Sequence, residues 1–246
     1  MMKKIAALCL TIAVLMSAAG CTMPGEIRIG NKSLPADSDN LSLCLSEIED
    51  LTPITGFSQA VKVSLCSNQI SDLSPLEGMT HILNLDVSQN QIDDLSALAG
   101  LTQLKILNLA GNQISDLSAL AGLSALESIN LSDNPITDIQ VLAGMKNLTL
   151  AEISHTQISD LTPLAGLTNL ASLRLSYNQI TDITPLAELK NVTYLSLAGN
   201  DIKGEENLQA LMSMKSLVSL TLGDSFTQQE RDRLQEALPD CMIFIR

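Results

Sequence analysis

The chain has 246 residues, with 14 Lys and Arg against 27 Asp and Glu, for a formal charge of −13. Phosphate contacts need a basic face that this balance does not supply, and 2% aromatics without Trp leave few surfaces for stacking bases or sugars. Nucleic acid is therefore not an expected partner, while 46% hydrophobic residues, dominated by Leu, Ile and Ala, suffice for a core.

Residues 1–20 read as an export signal. Lys3 and Lys4 give a basic start, and Ile5 to Met16 form an apolar run too short to span a bilayer. Ser17, Ala18, Ala19 and Gly20 then lead into Cys21. Ala-Ala-Gly-Cys resembles the bacterial lipobox, with Ala18 where that motif most often has Leu. The resemblance implies a diacylglyceryl thioether on Cys21, which becomes the acylated N-terminus of an exported protein anchored to a bacterial membrane. Thr22 is not the Asp that retains many lipoproteins in the inner membrane, so the outer membrane or cell surface is expected. An acidic protein gains nothing from an anionic bilayer, which leaves attachment to the acyl chains. Residues 21–40 form a tether and the start of an N-terminal cap, in which Ile27 and Ile29 alternate with polar neighbours as a short strand would.

From Leu51 the sequence returns on itself every 22 residues, with blocks starting at Leu51, Leu73, Leu95, Leu117, Ile139, Leu161 and Ile183. A partial unit, Leu41 to Asp50, precedes them, and an eighth block from Glu205 carries about three extra residues before Leu217. Apolar residues recur at block positions 1, 4, 7, 10, 13, 15 and 20. This is the leucine-rich-repeat pattern, and it predicts an α/β solenoid over residues 41–226 with a concave parallel sheet. Positions 13 and 15 should point inward from each strand and 12, 14 and 16 outward. Asn at position 18 in most blocks has the donors and acceptor to satisfy backbone at the bend, whereas Thr156 and Ser225 break the row and should mark looser turns. Ser or Thr at position 2, followed by Pro53, Pro75, Pro163 or Pro185, reads as a cap with Pro at the first helical place. So short a coil leaves room outside only for 3₁₀ turns. Residues 227–246 read as a C-terminal cap, with a helix over Gln228–Leu238, a stop at Pro239 and a strand over Met242–Ile245.

The repeat text Asn-x-Ile-x-Asp-[Leu/Ile]-[Ser/Thr]-Pro-Leu resembles the internalin-like leucine-rich repeats of bacterial surface proteins, over roughly residues 41–226. That resemblance implies recognition of a host or envelope protein by the concave face. Two departures from the best-known members, an N-terminal lipid and no obvious immunoglobulin-like domain after the repeats, weaken the implication of host-cell invasion but not of protein binding. The rival reading is a structural envelope lipoprotein whose face binds nothing tightly.

No enzyme site is expected, because His81 and His155 occupy different block positions and no CxxC, HExxH or phosphate-cradling Gly loop occurs. No metal or other cofactor is expected either, and a monomer is anticipated. Asp72, Asp94, Asp116, Asp138, Asp160 and Asp182 share position 22. They could line a cation site or, as expected here, accept backbone N–H groups at the start of each convex turn. Cys44 and Cys66 share position 16 on adjacent coils, at a separation that permits a disulfide in an exported protein. Cysteine also serves there simply as another small residue beside Ser and Ala. Cys241 reads as a buried small apolar residue. For recognition, Leu150, Glu152, His155, Arg174, Tyr177 and Tyr194 stand out among outward residues that are otherwise small, with Glu152 free to pair with Arg174.

Overall fold

A computed structural model describes residues 25–246. The signal segment and Cys21 lie outside the described residues. Strands β1 (Glu26–Ile29) and β2 (Lys32–Pro35) form an antiparallel hairpin. It covers the first coil, with Ile29 buried beneath it. The hairpin turns at Gly30, at φ +54°, where a Cβ would lie 2.0 Å from the carbonyl oxygen of Ser46, so no other residue fits there.

Ten parallel strands then follow in chain order as one sheet. They are β3 (Asn40–Ser42), β4 (Lys62–Ser64), β5 (Asn84–Asp86), β6 (Ile106–Asn108) and β7 (Ser128–Asn130). After them come β8 (Leu150–Glu152), β9 (Ser172–Arg174), β10 (Tyr194–Ser196), β11 (Ser219–Leu222) and β12 (Met242–Ile245). Register follows the repeat, so Leu41, Val63, Leu85, Leu107 and Ile129 form one row across the sheet. Leu107 is 1% exposed and Leu109 0%, while Ile106 between the turns of the pleat is 44% exposed. The inward and outward phases are those the spacing predicts. The partial unit is in register as well, because β3 pairs with β4 at the same positions.

At position 18 each asparagine ties two coils together. Asn112 accepts from Ile92 N–H at 3.0 Å and donates to the carbonyls of Val87 and Leu109 at 3.0 and 2.9 Å. Asn68, Asn90, Asn134 and Asn200 repeat this arrangement. Thr156 interrupts it. With no amide to reach back, Ile136 N–H turns to Asn134 O in its own loop at 2.9 Å, and the Thr156 hydroxyl donates to Asn178 Oδ1 at 2.5 Å. At Ser225, the equivalent place in the last full coil, the buried hydroxyl oxygen has no partner among the described residues.

The convex side carries 3₁₀ turns from Thr52–Gly56 to Thr184–Leu186, but their caps differ from the expectation. Ser or Thr at position 2 is the first residue of the turn, Pro the second, and the cap place falls to the buried Leu or Ile before them. A Leu side chain cannot accept a hydrogen bond, so the preceding Asp reaches over it. Asp50, Asp72, Asp94, Asp116, Asp138, Asp160 and Asp182 each accept the backbone N–H two residues on, at 2.7–2.8 Å. These are Asx turns. Hydrogen bonds from the following Ser or Thr hold the carboxyls of Asp50, Asp94 and Asp160 below the ordinary carboxylate range. The Asp row thus serves the backbone of its own turns, the second of the two readings.

In the eighth block the extra residues build a helix where a 3₁₀ turn was expected. Helix α1 (Glu205–Ser213) buries Leu208 and Leu211 on one face. Its Asn207 accepts from Ile183 N–H at 2.8 Å and donates to Thr181 O and Lys203 O, doing for the convex side what position 18 does inside. Helix α2 (Gln228–Ala237) begins with a capping box between Thr227 and Glu230. Leu234 and Leu238 close the end of the core, and β12 completes the sheet. Cys241 is a buried free thiol, whose pKa is raised by burial. Bonds from Arg233 to Glu205 of 2.6 and 2.9 Å join α2 to α1. Among the described residues no helix is long and apolar enough to cross a membrane.

Candidate functional site: the C-terminal end of the concave face

The outward positions form rows across the sheet, and their character changes along the solenoid. Position 14 runs Ser42, Ser64, Asp86, Asn108, Asn130, Glu152, Arg174, Ser196, Thr221 and Phe244. Short polar side chains occupy the first half. Ile106 is the large apolar exception there, between Asn84 and Ser128 on its row.

Six residues stood out in the sequence, and the structure sorts them into separate groups. Arg174 Nη1 donates to Glu152 Oε1 at 2.6 Å, and Asn130 Nδ2 donates to the other carboxylate oxygen at 3.1 Å. The pair anticipated from the sequence is therefore formed, with the Arg174 side chain still 60% exposed. Leu150 lies half-buried between Ser128 and Ser172 on neighbouring strands. His155 and Tyr177 are not on the sheet. Both occupy the turn after a strand, at φ 55° and 57°, in a column that includes Gln89, Gly111, Asp133 and Gly199. Their rings stack with centroids 4.4 Å apart. Tyr177 also lies against Gly199, where a Cβ would come within 2.5 Å of its ring. This stack forms the rim of the face. A turn that must enter the left-handed region to start the Asn bend throws its side chain sideways along the solenoid.

Tyr194, 55% exposed, belongs to a different group that sequence reasoning only partly found. Together with Arg174, Ser196, Thr221, Phe244 and Arg246 it lines a shallow depression of about 390 Å³. Two of its large residues, Phe244 and Arg246, come from the last strand and the residue just after it. Met242 and Phe244 are 58% and 44% exposed on the concave side, while Ile243 and Ile245 turn toward the core. The signal was present in the alternation of β12, which continues positions 12 to 15 of the repeat in register with β11.

At the other end of the sheet, Cys44 and Cys66 occupy matching places two residues beyond β3 and β4, with Cα atoms 4.5 Å apart and sulfurs at bonding distance, 2.09 Å.

Two leucine-rich-repeat families match the chain. The family described as Leucine Rich repeats (2 copies) matches residues 102–144 and 146–188, and Leucine rich repeat matches 58–114. Comparison with curated protein sequences finds no match. Among solved structures, an internalin (inlF) from Listeria monocytogenes is 30% identical with a TM-score of 0.76, over 87% of this chain and 63% of that one. An internalin C2 from the same species is 36% identical with a TM-score of 0.73, over 78% of this chain and 85% of its own. The leucine-rich-repeat protein LIC12759 of Leptospira interrogans is 25% identical with a TM-score of 0.74, over 83% and 60%. The chain thus spans less than two thirds of the first and third of these relatives. The shared repeat, the coil geometry and the identity across most of internalin C2 lead to one conclusion: the chain belongs to the internalin-like leucine-rich-repeat proteins.

Proposed function

We propose that this protein is a non-catalytic recognition module, exported and held on a bacterial membrane through lipid on Cys21, that binds a host or envelope protein with its concave face. The carrying observation is the uneven face. Exposed Tyr194, Met242, Phe244 and Arg174 gather at one end of a sheet whose other outward residues are mostly Ser, Asn and Asp. Tyr and Arg dominate interface hot spots because they bury much area and still make directed hydrogen bonds. A face with only a supporting role has no reason to expose them together. The likeness to internalins of Listeria monocytogenes agrees with the surface-protein resemblance of the repeat text and supports export. A disulfide between Cys44 and Cys66 belongs to the same reading, as a clasp on the first coil of an exported solenoid.

Truncating Arg174, Tyr177 and Tyr194 to Ala together tests the proposal. All three side chains are well exposed, so the melting temperature should hold while capture of the partner from a native extract falls at least tenfold. Undiminished capture would move the binding surface elsewhere. The anchor is tested separately: Cys21→Ser should release the protein from the membrane fraction, and detergent-sensitive attachment of the variant would remove the lipid from the account.

A further inference from the structure

The depression at the end of the concave face has a charge opposite to that of the protein around it. The chain carries −13 overall, yet the two charged side chains lining this depression are Arg174 and Arg246. Among the described residues Arg246 makes no ion pair. Arg174 spends one guanidinium nitrogen on Glu152, and its other N–H groups stay open to a second acceptor. Between the two arginines the floor is made of small hydroxyl residues, Ser196 and Thr221, and the walls are the rings of Tyr194 and Phe244. The volume, about 390 Å³, falls within the 300–1,000 Å³ range typical of ligand pockets.

From this arrangement we infer that the depression takes an extended acidic peptide segment, with one carboxylate on Arg174, a second on Arg246 and apolar residues between the two rings. The inference rests on the concave face being the binding surface. The geometry sets the spacing. Arg174 on β9 and Arg246 just beyond β12 are separated by three strand steps across the sheet and two residues along it, about 16 Å. An extended chain at about 3.3 Å per residue covers that span in about five residues. Guanidinium groups bind carboxylates with directed, paired hydrogen bonds, which fixes the segment at both ends. The acidic remainder of the protein repels polyanions at range, so a short segment with two local charges is favoured over a polyphosphate. The rings of Tyr194 and Phe244 reward apolar side chains between the two acids, and an acidic glycan is left as an outcome of the test.

The experiment is selection of a random dodecamer phage library on the described chain, followed by anisotropy titration of labelled winners. The expected winners carry Asp or Glu pairs about five residues apart with an apolar residue between. They should bind Arg174→Ala/Arg246→Ala at least tenfold more weakly, and weaken several-fold between 50 and 300 mM salt. Winners without paired acids, or winners held equally by the double variant, overturn the inference. A second variant, Ile106→Ser/Asn108→Arg, alters the middle of the face and separates the two failures. Winners lost on that variant alone leave the concave face as the binding surface and remove the acidic site. Winners indifferent to both variants, or no winners at all, remove both. A hyaluronate hexasaccharide that displaces the acidic winners with equal or better affinity would reassign the depression to acidic glycans and likewise overturn the peptide inference.

Discussion

Asn134→Ala should be among the most damaging single changes to a polar residue in this protein. The side chain is 4% exposed and makes four hydrogen bonds. Its Oδ1 accepts from Ile114 N–H at 3.0 Å, and its Nδ2 donates to Leu109 O, Leu131 O and Ser132 O at 2.9, 3.1 and 3.1 Å. Alanine removes all of them and leaves two interior groups, Ile114 N–H and Leu131 O, without a partner among the described residues, while Leu109 O keeps Asn112 and Ser132 O keeps Gly111 N–H. Each stranded group costs about 1–3 kcal/mol, so a loss of about 2–5 kcal/mol is expected. Asn134→Asp should be no better, since it presents a second oxygen to three carbonyls that need a donor. Thr156→Asn carries the opposite sign. It supplies the missing amide at the break in the row, gives Ile136 N–H and Leu131 O a partner across the coils, and should add about 1 kcal/mol. Urea denaturation of the chain lacking residues 1–21, followed by far-UV circular dichroism, reads all three. A loss below about 0.5 kcal/mol for Asn134→Ala, or destabilisation by Thr156→Asn, would refute the ladder as the device that joins one coil to the next.

Leu107→Ala and Leu173→Ala each remove a side chain no more than 1% exposed and should cost about 2–5 kcal/mol, with a broadened transition because each coil touches only its neighbours. In acid, the link between the two C-terminal helices should fail. Hydrogen bonds from Arg233 and Gln209 hold the Glu205 carboxyl down at about 2 from an ordinary 4.5, so its contribution is complete above pH 4.5 and disappears as pH falls toward 2. Glu205→Gln should melt at nearly the same temperature as the parent at pH 2 and below it at pH 7, whereas an equal difference at both would refute this origin. For the first coil, non-reducing peptide mapping of exported protein should recover Cys44 and Cys66 in one linked species, and two free thiols would rule the clasp out.

Much of this fold was legible because one 22-residue message is repeated, so each inward Leu predicted at position 13 or 15 was checked by seven others. What escaped sequence reading lies where the message changes. The eighth block has its extra residues before Leu217, and spacing alone did not distinguish a longer loop from the helix that Leu208 and Leu211 anchor. The turn caps were placed one residue too late because Ser and Thr are ordinary capping residues. Here the geometry puts a buried Leu at the cap and hands its work to Asp. His155 and Tyr177 read as sheet residues because nothing in their identity announces a left-handed turn; Asn, Gly and Asp would have done so. The site was half legible. Arg174 and Tyr194 fall on repeat positions, whereas Met242, Phe244 and Arg246 were read only as a structural cap, although their strand is simply the next coil of the same sheet.

The central claim is that this face, at this end, meets a partner, and site-specific photo-crosslinking on intact cells tests it most directly. A photoreactive residue at Ser196, on the floor between Arg174 and Phe244, should yield a discrete protein adduct, while the same residue at Ser118 on the convex side should yield none. Equal adducts at both positions, or an adduct at Ser118 alone, would contradict the account.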